Sequence, residues 1–484
     1  MFSSTLRNRY LCGSWPQLVD RLISGPIWKM YKFGPISIDD TEKLHWALAN
    51  QVFIPAGNTL TFNAPVRNSL SQKLRPNCAI KLGISTDEAV RLWTQGTGFG
   101  TTSLLDTNPV EHITRLQDAW NSFKDPEHRP KRGNMYVYPA DGKYIMDFIR
   151  LKSDPQTADK FPAFNVSVGF NDFELENFRN RDILPAIAEA AWRTGDPGVV
   201  FLNRVNQNVP LSHRGKHIKT LVPCGEQGMF EGESCTLGSI NLHSKALLNH
   251  EGHFSLTKFE VAIRTAVRFL DNAIDVVETD AHASNQYRRI GLGVMGWADH
   301  LDSLGMDYGS PFSADYAKTL SNFMGAIARH ESGRLALEKG PFPAWTRERI
   351  NINFNVEERD VLTLTQHGSP FAAAEIMRER PRHGMRNISV TCIAPTGGIN
   401  LITGNKGFAI EPAFEDAQNL SVQQHLQMLD AWQSGMCNSV SKTINFPSNS
   451  TPQDFSDAIF EARRFPWIKS LSLYRTGSRK AQPM

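Results

Sequence analysis

The sequence predicts an α/β fold, because short β-rich runs alternate with amphipathic helical ones from Cys78 onward. Three runs rich in branched or aromatic residues read as buried strands: Phe164–Val168, Val199–Leu202 and Ile388–Ile393. Between them, Lys258–Glu278 carries apolar residues at helical spacing and reads as a long helix. Ahead of all of these, Glu42–Ala49 is the clearest helix-forming stretch, so residues 1–70 are expected as a helical N-terminal cap in front of the core. Asp125–Arg132 and Pro447–Gln453 are the least regular stretches and read as loops.

The gross composition narrows the function classes. At 484 residues, 40% hydrophobic and 21% charged, the chain can bury a large core in one extended domain or two. A formal net charge of +3 gives no reason to expect nucleic acid or a membrane as partner. Six cysteines without regular spacing do not suggest a disulfide scaffold, and with no CxxC pair no metal site is expected. Met1–Leu22 lacks the continuous apolar core of a signal peptide, and no run reaches the roughly eighteen apolar residues of a membrane helix. A cytoplasmic location is the expectation.

Two of the six cysteines fall close together, in Val222-Pro223-Cys224-Gly225-Glu226-Gln227 and Glu233-Ser234-Cys235-Thr236. Cys224 stands between proline and glycine, which places it in a loop or at a strand tip and leaves its thiol free to face a cavity. In extended backbone Glu226, two residues on, shares a face with it. A thiol beside a carboxylate suits hydrogen abstraction coupled to acid/base work. Cys235 has the chemistry to form a reversible disulfide, with Cys224 or with a third cysteine. The competing reading is that these cysteines are small buried hydrophobes.

Taken whole, the segment resembles the active-site stretch of adenosylcobalamin-dependent (class II) ribonucleotide reductases: PCGEQ, eleven residues from Cys224 to Cys235, then CTLGSINL. Further strings resemble that family in the family's own order. They are Phe53–Leu60 (FIPAGNTL), Asn77-Cys78, Ala191–Gly198 (AWRTGDPG), Arg288–Gly296 (RRIGLGVMG), Ile393–Ile399 (IAPTGGI), Ile410–Pro412, Ser441–Asn445 (SKTIN) and Tyr474–Arg479 (YRTGSR).

The resemblance implies a ten-stranded α/β barrel of the ribonucleotide reductase and glycyl-radical type. Its catalytic body would span 71–484, with the cysteine loop 222–242 threaded through the middle. The implied activity is radical reduction of ribonucleotides to 2′-deoxyribonucleotides. Cys224 matches the cysteine that becomes a thiyl radical and removes hydrogen from the ribose 3′ carbon, and Glu226 matches the base that handles the 3′-hydroxyl proton. Cys78 and Cys235 match the pair that supplies reducing equivalents and ends as a disulfide. Pro395, Thr396, Gly397 and Gly398 resemble the turn whose backbone N–H groups receive the substrate phosphates, and Thr59 matches a position that helps there. The implied cofactor is adenosylcobalamin, since no side chain generates such a radical unaided. The implied partners are a ribonucleotide and an external thioredoxin-like dithiol, or a separate polypeptide bearing a cysteine-pair tail. Monomer and homodimer both stay open. Leu473-Tyr474-Arg475 has one tyrosine where reductases fed by a radical subunit have two, so such a subunit is not expected. Cys12, Cys392 and Cys437 are read as structural.

Four departures from the family pattern qualify this. Val222 stands where the family has an asparagine whose amide bonds the substrate hydroxyls. After Gly96–Gly100 the chain runs through Leu104–His112 and is shorter than the family's regulatory stretch, although Arg129–Met135 resembles the loop that contacts base and effector. No cysteine pair follows Arg479, and Gly398 replaces a common threonine or serine. Two other readings therefore stay beside reduction: a cobalamin-dependent radical enzyme that reworks a nucleotide sugar without net reduction, such as by epimerisation, and a non-catalytic nucleotide-binding homologue.

Overall fold

The computed structural model describes residues 14–25, 27–28, 37–61, 74–104, 107–123, 133–174, 182–207, 209, 215–277, 282–345 and 384–478. Cys12, Asp125–Arg132, Glu278 and Arg479 lie outside these residues.

Ten strands run through the described residues: β1 (Phe53–Pro55), β2 (Cys78–Ile80), β3 (Gly98–Thr101), β4 (Asn134–Pro139), β5 (Phe164–Phe170), β6 (Gly198–Phe201), β7 (Leu237–Asn241), β8 (Gly291–Met295), β9 (Thr443–Phe446) and β10 (Ser470–Arg475). One sheet has the order β2-β3-β4-β5-β6-β10-β9, with β2 to β6 parallel and β10 antiparallel to β6. The other is β1-β7-β8, with β7 parallel to β8 and β1 antiparallel to β7. Parallel neighbours joined through helices give the α/β class expected. Burial follows from it: β3, β6, β7 and β8 are buried at every residue, as strands covered on both faces should be.

Of the strands expected, Phe164–Val168 lies within β5 and Val199–Phe201 within β6, while Leu202 already opens a short helix. Ile388–Ile393 differs. It is buried, yet it holds only two single bridges, Thr391 to Leu292 and Ile393 to Val440. The Thr391 hydroxyl captures the Cys437 N–H (2.9 Å), a donor that a regular ladder would spend on a carbonyl. Pro395, with no N–H, stands two residues beyond Ile393. These single bridges lie between β8 and the residues leading into β9, so the two sheets are not closed by a continuous ladder.

Helices cover the sheets. The first two are α1 (Trp15–Ser24) and α2 (Ile38–Ala49), locked together where Trp15 Nε1 donates to the Leu48 carbonyl (3.0 Å). The N-terminal region is not solely helical, since it also contributes β1. The long helix expected from Lys258 is α3 (Leu256–Val276), capped by the Ser255 hydroxyl on the Lys258 N–H. Phe259, Ile263, Ala266, Leu270 and Ala273 recur at helical spacing and are buried. It packs on β7 and β8 and on α4 (Pro311–Lys339). Among the described residues no helix is long and apolar enough to cross a membrane.

Candidate active site

The Cys224 segment is a tight loop between antiparallel partners Leu221 and Gly228. Val222 N–H donates to the Gln227 carbonyl (2.9 Å), and Gly225 N–H to the Val222 carbonyl (2.8 Å). Gly225 takes φ +77°, the left-handed region where a side chain is costly. Cys224 and Glu226 are therefore brought together by a turn, not by the extended backbone that the residue spacing suggested. Neighbours on several strands pin the loop. Asn165 of β5 donates to the Pro223 carbonyl (2.9 Å), and Thr220 donates to the carbonyl of Thr101 in β3 (3.0 Å). Asn438 grips Gly228 through both its N–H (2.8 Å) and its carbonyl (3.0 Å). Gln227 Nε2 reaches the Ile290 carbonyl beside β8 (3.2 Å). At Gly100 the approach is so close that a Cβ would overlap the Leu221 carbonyl.

From Thr220 to Phe230 every residue is buried except Cys224. Cys224 is exposed, yet burial still dominates the state of its thiol. Burial pushes this thiol's pKa up, and the nearby Glu226 and Cys78 push it further. The sulfur thus keeps its hydrogen. That state is wrong for a thiolate nucleophile and right for a donor or acceptor of hydrogen atoms. Burial also raises the Glu226 carboxyl, to about 7, against the opposing hydrogen bond from its own backbone. Glu226 is 3% exposed and its Oε2 has no hydrogen-bond partner among the described residues. A carboxyl poised near neutrality with a free oxygen is suited to moving a proton.

Cys78 and Cys235 meet across a short antiparallel ladder. Ala79 pairs with Ser234, Cys235 N–H donates to the Cys78 carbonyl (3.0 Å), and Ile80 N–H donates to the Glu233 carbonyl (2.9 Å). Directly opposed residues have Cα atoms about 4.5–5.5 Å apart, inside the roughly 4.4–6.8 Å that a disulfide spans. This leg of the loop is held by charge. Glu233, wholly buried, takes Arg289 in a two-point pair (Nε to Oε1 and Nη2 to Oε2, both 3.0 Å) and also caps the Phe230 N–H (2.6 Å). The neighbouring Arg288 turns the other way, to Asp271 and Asp275 of α3.

The predicted site residues converge on one small apolar cluster of Ile80, Val222, Met229, Cys235, Leu237 and Cys392, with Cys78, Ala56 and Ala394 packed against it. Cys224 joins it through its electrostatic contact with Cys78, and Glu226 through its contacts with Cys224 and Cys392. Thr59 adjoins through Ala56, whose carbonyl takes the Thr59 N–H (2.9 Å). The Pro395, Thr396, Gly397, Gly398 turn adjoins through Ala394; Thr396 is left-handed (φ +59°), and its hydroxyl accepts the Ala409 N–H (2.8 Å). Cys392, expected as a structural residue, is buried in this same cluster. It lies close enough to Glu226 for that carboxylate to raise its pKa, after burial itself. Strand alternation, which puts 392 and 394 on one face, was the available signal. Two motifs serve structure: Lys442, wholly buried, pairs with Glu411 (2.7 Å), and Tyr474 packs inside β10 with its hydroxyl unpartnered among the described residues. No group of three or more His, Cys, Asp or Glu side chains able to hold a metal ion occurs among the described residues.

Fold and site together define an α/β protein built around a protonated thiol, a near-neutral carboxyl and a facing cysteine pair. Residues 171–417, just over half the chain, match the family described as "Ribonucleotide reductase, barrel domain". The chain belongs to that family. It is 30% identical over 434 residues to the vitamin B12-dependent ribonucleoside-diphosphate reductase of Mycobacterium tuberculosis (strain CDC 1551 / Oshkosh), a match covering 78% of this chain and 61% of that protein. With the reductase of the same description from Thermoplasma acidophilum the identity is 31% over 339 residues, or 65% of this chain and 40% of the relative. The vitamin B12-dependent ribonucleotide reductase of Rhodopirellula baltica is 25% identical over 400 residues, covering 64% and 37% respectively. The chain thus spans less than two thirds of the length of these relatives.

Proposed function

We propose that this chain reduces ribonucleotides to 2′-deoxyribonucleotides, with Cys224 exchanging a hydrogen atom with the ribose and Glu226 handling the hydroxyl proton. The observation that carries the reading is the Cys78–Cys235 rung set beside a protonated Cys224. Two thiols that can close a disulfide supply the two electrons and two protons by which one hydroxyl leaves as water. We assign Thr59 and the Pro395, Thr396, Gly397, Gly398 turn to the substrate phosphates. An external thioredoxin-like dithiol, or a separate cysteine-pair polypeptide, would then reopen the disulfide in a reducing cytoplasm.

The cofactor we infer is adenosylcobalamin, as the names of the relatives suggest. It supplies the one-electron chemistry that side chains lack. The fit lies in Cys224, an exposed, hydrogen-bearing sulfur at the tip of a pinned loop. We further infer that the ten strands form one barrel body, 71–484, behind the 1–70 cap. The single bridges at Thr391 and Ile393, and the contacts of the loop with β3, β5 and the residue that precedes β8, support this.

A second reading rests on Val222. It is wholly buried in the cysteine cluster and offers the substrate no polar group. This favours a radical rearrangement of a nucleotide sugar without net reduction. Incubation with adenosylcobalamin, a dithiol and each ribonucleotide, followed by chromatography of the sugar product, separates the two. A deoxynucleotide supports reduction; an altered ribose with no dithiol consumed supports the second. Cys224→Ala is expected to abolish either turnover, and full activity in that variant would refute both.

A further inference from the structure

Cys392 lies in the cysteine cluster of the site, yet the proposed reaction gives it no task. Two glycines of β8 fix its place: at Gly293 a Cβ would overlap the Cys392 carbonyl, and at Gly291 one would overlap the Cys392 sulfur. The 391–393 segment can therefore press close against β8, bridged to Leu292 on one side and to Val440 on the other. Its sulfur settles over Gly291.

Two other side chains close over the same glycine. The Gly291 Cβ position meets Leu237, its partner in the parallel β7–β8 ladder, and lies 3.1 Å from the side-chain nitrogen of Gln227. That nitrogen donates to the Ile290 carbonyl (3.2 Å), which fixes the orientation of the amide, because a carbonyl can only accept. The other end, Gln227 Oε1, has no hydrogen-bond partner among the described residues, although Gln227 is wholly buried. One residue earlier, the buried Glu226 leaves Oε2 equally unpartnered, and it is near enough to Cys392 for its charge to act on that thiol. Two consecutive side chains, each with an unpaired buried acceptor, thus border one sulfur that is a weak donor. Buried acceptors of this kind are ordinarily completed by a water, which needs room for about one molecule and roughly two to four polar partners. Two partners are present, and the sulfur holds the room.

We propose that Cys392 is a positioning residue for the Glu226 proton: its sulfur fills the space over Gly291 and keeps water, and any stronger donor, away from the carboxyl. This rests on the proposed role of Glu226 as proton carrier and adds the group that maintains it. A water or hydroxyl in that place bonds the ionised carboxyl better than the neutral one and holds it charged at lower pH. The weak donor leaves burial to dominate, and the carboxyl exchanges its proton near neutrality. Cys224 also faces Glu226, and Cys437 and Arg289 act on Cys392. Arg289 is taken by Glu233 (3.0 Å). Burial works to raise the Cys437 thiol, but Arg329 and hydrogen bonds at Thr391 and Val390 bring it to about 7, so its titration has to be subtracted.

The test compares stability with and without the carboxyl, so that Cys437 and every other group common to both chains cancels. Glu226→Gln is made in the natural full chain, in Cys392→Ser and in Cys392→Val, and urea unfolding of each pair is followed from pH 4 to 8.5. A carboxyl held protonated in the folded chain loses its stabilisation as pH rises from the unfolded pKa through the folded one, so the gain from glutamine levels off at the folded value. In the natural chain that point is about 7. In Cys392→Ser, which puts a full donor at the same place, it is expected about one to two pH units lower. Cys392→Ala, which leaves room for a water, should move the same way and serves if the serine chain does not fold. Cys392→Val keeps the space dry and should level off with the natural chain. A serine chain that levels off at about 7 overturns the proposal. So does a valine chain that shifts as far as the serine one, since disturbed packing would then account for both. Unfolding needs no turnover, so a failed product assay leaves this result standing, while deoxynucleotide formed with an unmoved levelling point keeps the proposed function and removes Cys392 from it.

Discussion

Glu226→Gln isolates the electrostatic state of the site. The wild-type carboxyl is raised from 4.5 to about 7 because burial penalises its charge. A group held protonated in the folded chain, but ionised in the unfolded one, makes stability fall as pH rises from the unfolded pKa through the folded one. At about 1.4 kcal/mol per pH unit, the interval from 4.5 to about 7 amounts to about 3 kcal/mol. This stabilisation is complete below pH 4.5 and gone above about 7. Glutamine is neutral throughout and nearly isosteric, so the variant should match the wild type at acid pH and exceed it by up to about 3 kcal/mol at pH 8. Urea unfolding of both proteins from pH 4 to 8.5 measures the difference directly. Other titrating groups, such as Asp430, raised to about 6, are common to both and cancel. Parallel stability curves across that range would show that Glu226 ionises normally, and its role as a near-neutral proton carrier would fall with it. The same substitution should remove the apparent pKa near 7 from the pH profile of turnover.

Three further outcomes are expected. Glu233→Gln leaves Arg289 buried with half its partner's charge-assisted bonding and should cost about 3–5 kcal/mol in urea unfolding; a loss below about 1 kcal/mol would mean that the pair does not hold the loop. Mild oxidation should give a Cys78–Cys235 peptide in non-reducing mass maps, absent in Cys235→Ser, whereas a dominant Cys224–Cys235 peptide would contradict the facing geometry. Val222→Asn puts an amide into an apolar cluster and should destabilise by about 1–3 kcal/mol; unchanged stability with faster reduction would instead mean that position 222 faces substrate.

The sequence made local features legible. Proline and glycine around Cys224 announced a loop, branched runs announced β5 and β6, and helical spacing announced α3, because each depends on neighbours in the chain. Long-range pairings were not legible. Ile388–Ile393 has strand composition, but Thr391 spends its hydroxyl on the Cys437 N–H, a contact across 46 positions that no window contains. Cys78 could be matched to Cys235 only by resemblance, since their meeting depends on β2 and the loop lying side by side. Cys437 read as structural, yet the charge of Arg329, a distant residue in the chain, alters its thiol.

The cysteine loop is fastened in two independent places. The turn that carries Cys224 is closed by its own backbone bonds and clamped by Asn438, while Cys235 hangs on the separate ladder anchored by Glu233 and Arg289. A covalent change at the Cys78–Cys235 rung therefore loads one anchorage and leaves the other at rest. On the proposed function, the sulfur at the tip would keep its aim through oxidation and reduction of the pair, and re-arming would require chemistry at the rung and no refolding of the tip.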